Sequence, residues 1–214
     1  MKYSDFPIRE IPDRYLSRKK MLYEVGINDA NYVTRPTIGD TIIRCPIYSL
    51  WYDILTRCYS DKFQIKNPTY IGCTIAEEWH SFMSFRSWVL SQAQWEGLHL
   101  DKDLLSPGNK IYGPDTCIFV PEDVNKFLTF NRRNKTDLPI GVARNKGKYM
   151  AQLNCFNGNR WFSHSVETQD EASQLYWRKK MELAHGLAAK QSNPIVAQAI
   201  INNIRSNYEI NCQT

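Results

Sequence analysis

The 214 residues carry 27 Lys and Arg against 22 Asp and Glu, a formal net charge of +5, and 13% of them are aromatic. Wholesale disorder is excluded, because so many Trp, Tyr and Phe side chains supply apolar surface that a core can bury. A membrane-spanning chain is excluded too: no apolar run approaches the roughly 20 residues that cross a bilayer. Met1 to Glu10 also lacks the apolar centre of a secretion signal, so a cytoplasmic location is expected. The six cysteines (Cys45, Cys58, Cys73, Cys117, Cys155, Cys212) form no C-x-x-C pair and no dense framework, which fits reduced thiols in a cytosol.

In chain order, the apolar residues Tyr15, Leu16, Leu22 and Val25 between Asp13 and Val25 suit a short basic helix. Gly26 to Arg44 reads as irregular, with Pro36 and Gly39 as breakers. A helix is expected over Ile47 to Tyr59, where Trp51, Ile54, Leu55 and Cys58 share a face. A loop through Asn67-Pro68, a short strand at Tyr70 to Ile75 and an aromatic helix from Glu77 to Leu90 follow. Trp79, Phe82, Met83, Phe85 and Trp88 on that helix are expected to pack into a core.

The next stretch alternates in a way that carries chemistry. Leu98 to Leu105 reads as a strand, Ser106 to Asn109 as a turn and Thr116 to Val120 as a second strand. Pro121 opens a helix to about Phe130, since a missing N–H costs nothing in the first turn. Alternate side chains of a strand share a face, so His99, Asp101 and Asp103 point together, away from Leu98, Leu100 and Lys102. An imidazole beside two carboxylates can hold a divalent metal and position a water. Asn125, on the following helix, adds a donor if that helix folds back across the strands.

The excess charge lies further on. Asn131 to Arg160 holds seven basic residues (Arg132, Arg133, Lys135, Arg144, Lys146, Lys148, Arg160) against one acid, Asp137, a net +6. Such a segment fits a phosphate backbone as well as a solvated face. Turns at Lys146-Gly147 and Asn157-Gly158 separate three strand-like runs between Leu138 and Phe162. A helix then begins at Thr168, with Glu171 completing a capping box, and runs toward His185. The last helix starts at Asn193-Pro194, with Val196, Ile200 and Ile204 on one stripe.

Two resemblances attach to these residues. The strand–loop–strand–helix order, Asp101-Lys102-Asp103 on the first strand and Asn125 on the helix resemble the core of HNH nucleases. The wider pattern adds Trp51, Arg57-Cys58-Tyr59, Trp79, Phe82, Trp88, Gly108-Asn109-Lys110 and Cys117. Over roughly Gly26 to Phe130 it is similar to HNH-like, homing-type endonucleases of tailed phages. The resemblance implies Asp101 as first metal ligand, Asn125 as helix ligand and one Mg2+ or Mn2+ ion that stabilises charge on the phosphate. Asn109 is either the middle Asn of the motif or a loop-shaping residue. The family usually has a His next to the strand acid. Here Leu100 precedes Asp101 and Lys102 follows it, so the base falls to His99 or Asp103.

Leu138 to Ala188 resembles the DNA-binding domain of plant ethylene-response factors, the Apetala-two type. Gly141-Val142, Gly147-Lys148-Tyr149 with Ala151, Gly158-Asn159-Arg160, and Thr168 leading into Glu171-Ala172 and Tyr176 carry the likeness. It implies three antiparallel strands on one helix, with Arg144, Lys146, Lys148, Tyr149, Arg160 and Trp161 facing DNA; Arg132 and Arg133 precede them on the basic stretch. One departure is Ser163-His164, where the family often has Gly.

The expected fold is therefore α+β. N-terminal helices carry a ββα, HNH-like core; a three-stranded antiparallel sheet packed on a helix and a C-terminal helix follow. The expected divisions are 1–44 as lead-in, 45–135 as the HNH-like domain, 138–190 as the DNA-binding domain and 191–214 as helix and tail. The expected function is sequence-preferring binding of double-stranded DNA, with metal-dependent nicking or cleavage by the HNH-like core. One alternative is a non-cleaving DNA-binding or regulatory protein on the same scaffold. The other is a phage protein that binds a host protein through the aromatic region from Trp51 to Trp88. Cys45, Cys58, Cys73 and Cys117 are a candidate structural zinc set, but their spacing lacks paired knuckles and buried free thiols are the expected state. His80 is expected at the surface, His164 near phosphate and His185 at a helix end.

Overall fold

The computed structural model describes residues 2–12, 20–129 and 137–212. The chain divides into two compact units, residues 1–119 and 120–214. Its class is mixed, with helices and small sheets of two or three strands.

The first unit is built around aromatic side chains. Residues 13–19 lie outside the described residues, and with them most of the first expected helix. The remainder is no helix: Lys20–Leu22 (β1) pairs antiparallel with Gly26–Asn28 (β2). Tyr23 and Glu24 take positive φ, 53° and 60°, which turns the chain back and stops any helical run. A second ribbon, Thr37–Ile38 (β3) with Thr41–Ile42 (β4), occupies part of the stretch expected to be irregular. Helix α1, Pro46–Tyr59, buries Ile47, Tyr48, Trp51, Ile54, Leu55 and Cys58. The expected loop beyond it contains another helix, Asp61–Lys66 (α2), because the Ser60 hydroxyl accepts from the N–H of Phe63.

Thr74–Ile75 (β5) pairs in parallel with Ile111–Tyr112 (β7). The expected aromatic helix is interrupted at His80-Ser81, after a 3-10 turn at Glu77–Trp79 and before Phe82–Ser91 (α3). Two distant side chains explain the break. The Trp51 indole donates to the carbonyl of Trp79 (2.7 Å), and the Asp29 carboxylate accepts from the Ser81 hydroxyl (2.7 Å) and the N–H of Met83 (2.9 Å). The first fixes the end of one turn and the second caps the start of the next. Trp51, Trp79, Phe82, Phe85 and Val89 are almost wholly buried in the resulting core. Gly26 is required there: a Cβ would stand 2.5 Å from Leu55 Cδ1 and 3.0 Å from the Trp51 ring. His99–Asp101 (β6) pairs with Ile118–Val120 (β8), the strand within which the chain divides.

The second unit is more regular. Glu122–Leu128 (α4) begins one residue after Pro121, which is its N-cap. Val142–Asn145 (β9), Lys148–Asn154 (β10) and Arg160–Phe162 (β11) form an antiparallel sheet in the order β11-β10-β9. Lys146 and Gly147, at φ 49° and 84°, make the two-residue turn between β9 and β10. Gln169–Ala188 (α5) starts with the expected capping box: the Thr168 hydroxyl accepts from the Glu171 N–H, and the Glu171 carboxylate accepts from the Thr168 N–H. It packs on β10 and on Pro194–Cys212 (α6), whose Val196, Ile200 and Ile204 are buried. Helix α4 packs against α6, and the ammonium of Lys180 on α5 donates to the carbonyl of Phe127 (2.6 Å). The helix expected to complete a ββα core therefore groups with the C-terminal elements. No helix among the described residues is long and apolar enough to cross a membrane.

Candidate nucleic-acid interface

The nuclease-like positions come first. Strand β6 ends at Asp101 rather than continuing to Leu105, because the Asp101 carboxylate accepts the N–H groups of Asp103 (2.9 Å) and Leu104 (2.7 Å) and turns the chain. Asp103 thus leaves the strand and does not share its face with His99 and Asp101. His99 is exposed, and Asp101 is half-buried with its carboxyl raised above the usual carboxylate range by burial. Lys102, expected on the opposite face with Leu98 and Leu100, is 6% exposed and Leu100 is 8% exposed. The Lys102 ammonium donates to Asp103 (2.5 Å) and to the carbonyl of Asn109 (2.7 Å). Asn109 shapes the loop, donating to the carbonyls of Lys102 and Ile111 and accepting from the N–H of Ile111. Asn125 lies half-buried on α4, in the second unit, while the acids lie in the first.

These donors do not fit a divalent ion. One oxygen of Asp101 is held by two amides, and Asp103 is held by an ammonium that would repel a second cation. No group of three or more His, Cys, Asp or Glu placed to hold a metal exists among the described residues. Cys45, Cys58, Cys73 and Cys117 are buried free thiols, and burial pushes Cys58 and Cys117 up to about 12, so they pack as apolar groups. His80 is half-buried against the carbonyl of Ile75 (3.1 Å), and His164 and His185 are exposed.

The sheet of the second unit is a different kind of surface. Cross-strand partners share a face, and the register sorts the side chains into two sets. Val142, Arg144, Tyr149, Ala151, Leu153 and Trp161 form the face toward α5, where Val142, Ala151 and Leu153 are buried. Ala143, Asn145, Lys148, Met150, Gln152, Asn154, Arg160 and Phe162 form the outer face. The six sheet positions expected to face DNA are therefore divided. Lys148 and Arg160 lie on the outer face and Lys146 at the hairpin tip. Arg144, Tyr149 and Trp161 lie on the helix side, Arg144 paired with Asp137 (3.0 Å) and Trp161 under the Lys179 ammonium of α5 (5.9 Å). Arg132 and Arg133 lie outside the described residues.

On the outer face, Lys148 pairs with Glu167, and Asn145 donates to the Ser165 hydroxyl (3.0 Å). Toward the other end, Arg160 donates through Nε to the Asn154 amide oxygen (3.2 Å) and lies over the Phe162 ring (5.8 Å). Phe162 is 49% exposed. Val142 to Phe162 contains four basic residues and no acid. Three strands place the outer two roughly 10 Å apart, which a major groove about 12 Å wide accepts. Asn145, Met150, Gln152, Asn154 and Phe162 were not picked out from the sequence. The signal was present in the period-two pattern: with Ala151 and Leu153 inward, Met150, Gln152 and Asn154 must face out.

No family model matches the chain, and neither curated proteins nor solved structures give a significant match.

Proposed function

We propose that this protein binds double-stranded DNA through the outer face of its β9–β10–β11 sheet. One observation supports this reading above the others. The face lies opposite the buried Val142, Ala151 and Leu153 and combines Lys148 and Arg160 with the amides of Asn145, Gln152 and Asn154. Basic groups neutralise phosphates, and Arg, Asn and Gln side chains match base edges in the major groove. The likeness to Apetala-two-type domains points the same way. In this reading the protein is a binding or regulatory protein, and no catalytic step is assigned to His99, Asp101, Asp103 and Asn125, whose donors do not fit Mg2+ or Mn2+.

Fluorescence anisotropy with a labelled 30-base-pair duplex tests the binding. Affinity should fall steeply and log-linearly as salt rises, as released counterions require. Absence of binding even at 50 mM salt overturns the reading. Incubation of supercoiled plasmid with Mg2+ or Mn2+ tests the nuclease alternative: nicking by the wild type that Asp101→Ala abolishes would establish it.

A further inference from the structure

We propose that the protein discriminates base pairs with two adjacent rows of the outer face: Gln152 with Phe162, and Asn154 with Arg160. The inference rests on the DNA-binding reading and names the chemistry of the target. Gln152 and Phe162 are cross-strand partners, as are Asn154 and Arg160. Gln152 is half-buried, and its amide makes no side-chain hydrogen bond among the described residues. A free amide there matches the N6–H and N7 of adenine, and the exposed Phe162 ring beside it matches the methyl of the paired thymine.

In the next row the guanidinium of Arg160 is braced on two sides, by the Asn154 amide oxygen at 3.2 Å and the Phe162 ring at 5.8 Å. Bracing through Nε leaves the two Nη groups for O6 and N7 of guanine, with less side-chain freedom to lose on binding. The rows are two residues apart on β10, about 6.7 Å. That is roughly two base steps of about 3.4 Å each. The target thus holds an A·T pair and a G·C pair about two steps apart.

The opposite end of the face is built for backbone contact. Lys146 projects at the hairpin tip, Lys148 is held by Glu167 and Asn145 by Ser165. Arg144, Tyr149 and Trp161, on the helix side, read no base.

The test is selection of bound duplexes from a randomised library, followed by anisotropy on the selected site and its single-base variants. Wild type should select the A·T and G·C pairs. Arg160→Lys keeps the charge and removes the bidentate fork, so the preference for guanine should fall about 5- to 150-fold while affinity for random duplex changes little. Gln152→Ala should flatten the A·T position alone, and Arg144→Ala should leave both preferences intact. Circular dichroism confirms that each exposed-site variant is folded. If wild type binds no duplex, the DNA-binding reading itself falls. If wild type binds without preference, or the preferences survive Arg160→Lys and Gln152→Ala, or Arg144→Ala flattens them, the inference is overturned and binding stands.

Discussion

The two units place their aromatic and charged residues differently. In residues 1–119, four of the six tryptophans lie in or against a core of tilted, stacked and edge-on rings; Trp79, for instance, meets both Phe85 and Trp88 at centroid distances under 5 Å. Strands there are two or three residues long, and the backbone is held by distant side chains such as Asp29 and Trp51. In residues 120–214, two helices of 20 and 19 residues and a seven-residue central strand carry the fold through ordinary backbone ladders. A unit whose loops are pinned by a core can keep polar groups such as Lys102 for internal bonding. A unit whose ladders are self-sufficient can carry charged side chains such as Lys148 and Arg160 on one face of its sheet.

The largest effect expected from this contrast is at Trp51. Trp51→Ala removes a fully buried ring and the indole bond to Trp79, and should destabilise the first unit by about 3–5 kcal/mol. Chemical denaturation followed by near-UV circular dichroism reads it, and a loss below 1 kcal/mol would show that the aromatic core does not hold that unit. Next is Gly141, at φ +75°, where a Cβ would stand 2.0 Å from Tyr176 Cδ2. Gly141→Ala should cost about 2–4 kcal/mol by combining strain with overpacking. Gly147→Ala, at φ +84° with open space around it, should cost only about 1–2 kcal/mol. Equal losses at the two glycines would mean that contact with α5 does not set the sheet's position.

A third effect is on the pH profile. Burial lowers Lys180 from its ordinary 10.5 to about 8. Between those values the unfolded chain keeps the proton that the folded chain has lost, so this group makes stability rise with pH. Its contribution should grow by about 2 kcal/mol from pH 7 to pH 9.5. Comparing urea midpoints of wild type and Lys180→Met over that range isolates it, since the variant lacks the slope. The smallest effect is at the capping box: Thr168→Ala should cost about 1 kcal/mol by thermal or urea unfolding, and no loss would mean that the start of α5 is fixed by packing alone.

Much of the second unit was legible in its residues. Two glycine turns, a period-two pattern and the Thr168–Glu171 box are local signals, each set by steric or capping rules that act within a few positions. What stayed hidden there was the face on which each charged residue lies. Arg144 and Arg160 look alike in sequence, and only the register, with Ala151 and Leu153 turned toward α5, puts them on opposite sides. In the first unit α1 was readable from its apolar face. The break at His80-Ser81 and the ribbon at Lys20–Asn28 were not, because they depend on Trp51, Asp29 and Leu55, tens of residues away.

The same division applies to the nuclease-like stretch. Alternation placed His99, Asp101 and Asp103 on one strand face, which holds only while the strand continues. The Asp101 carboxylate ends it by capping the two N–H groups ahead, and Lys102 turns inward to the Asn109 carbonyl. Sequence alone determined where basic charge concentrates, where the chain turns and where helices begin, since those follow from composition and neighbours. Tertiary structure decided where helices break and which side chains share a sheet face, since both depend on groups that meet only when the chain is folded.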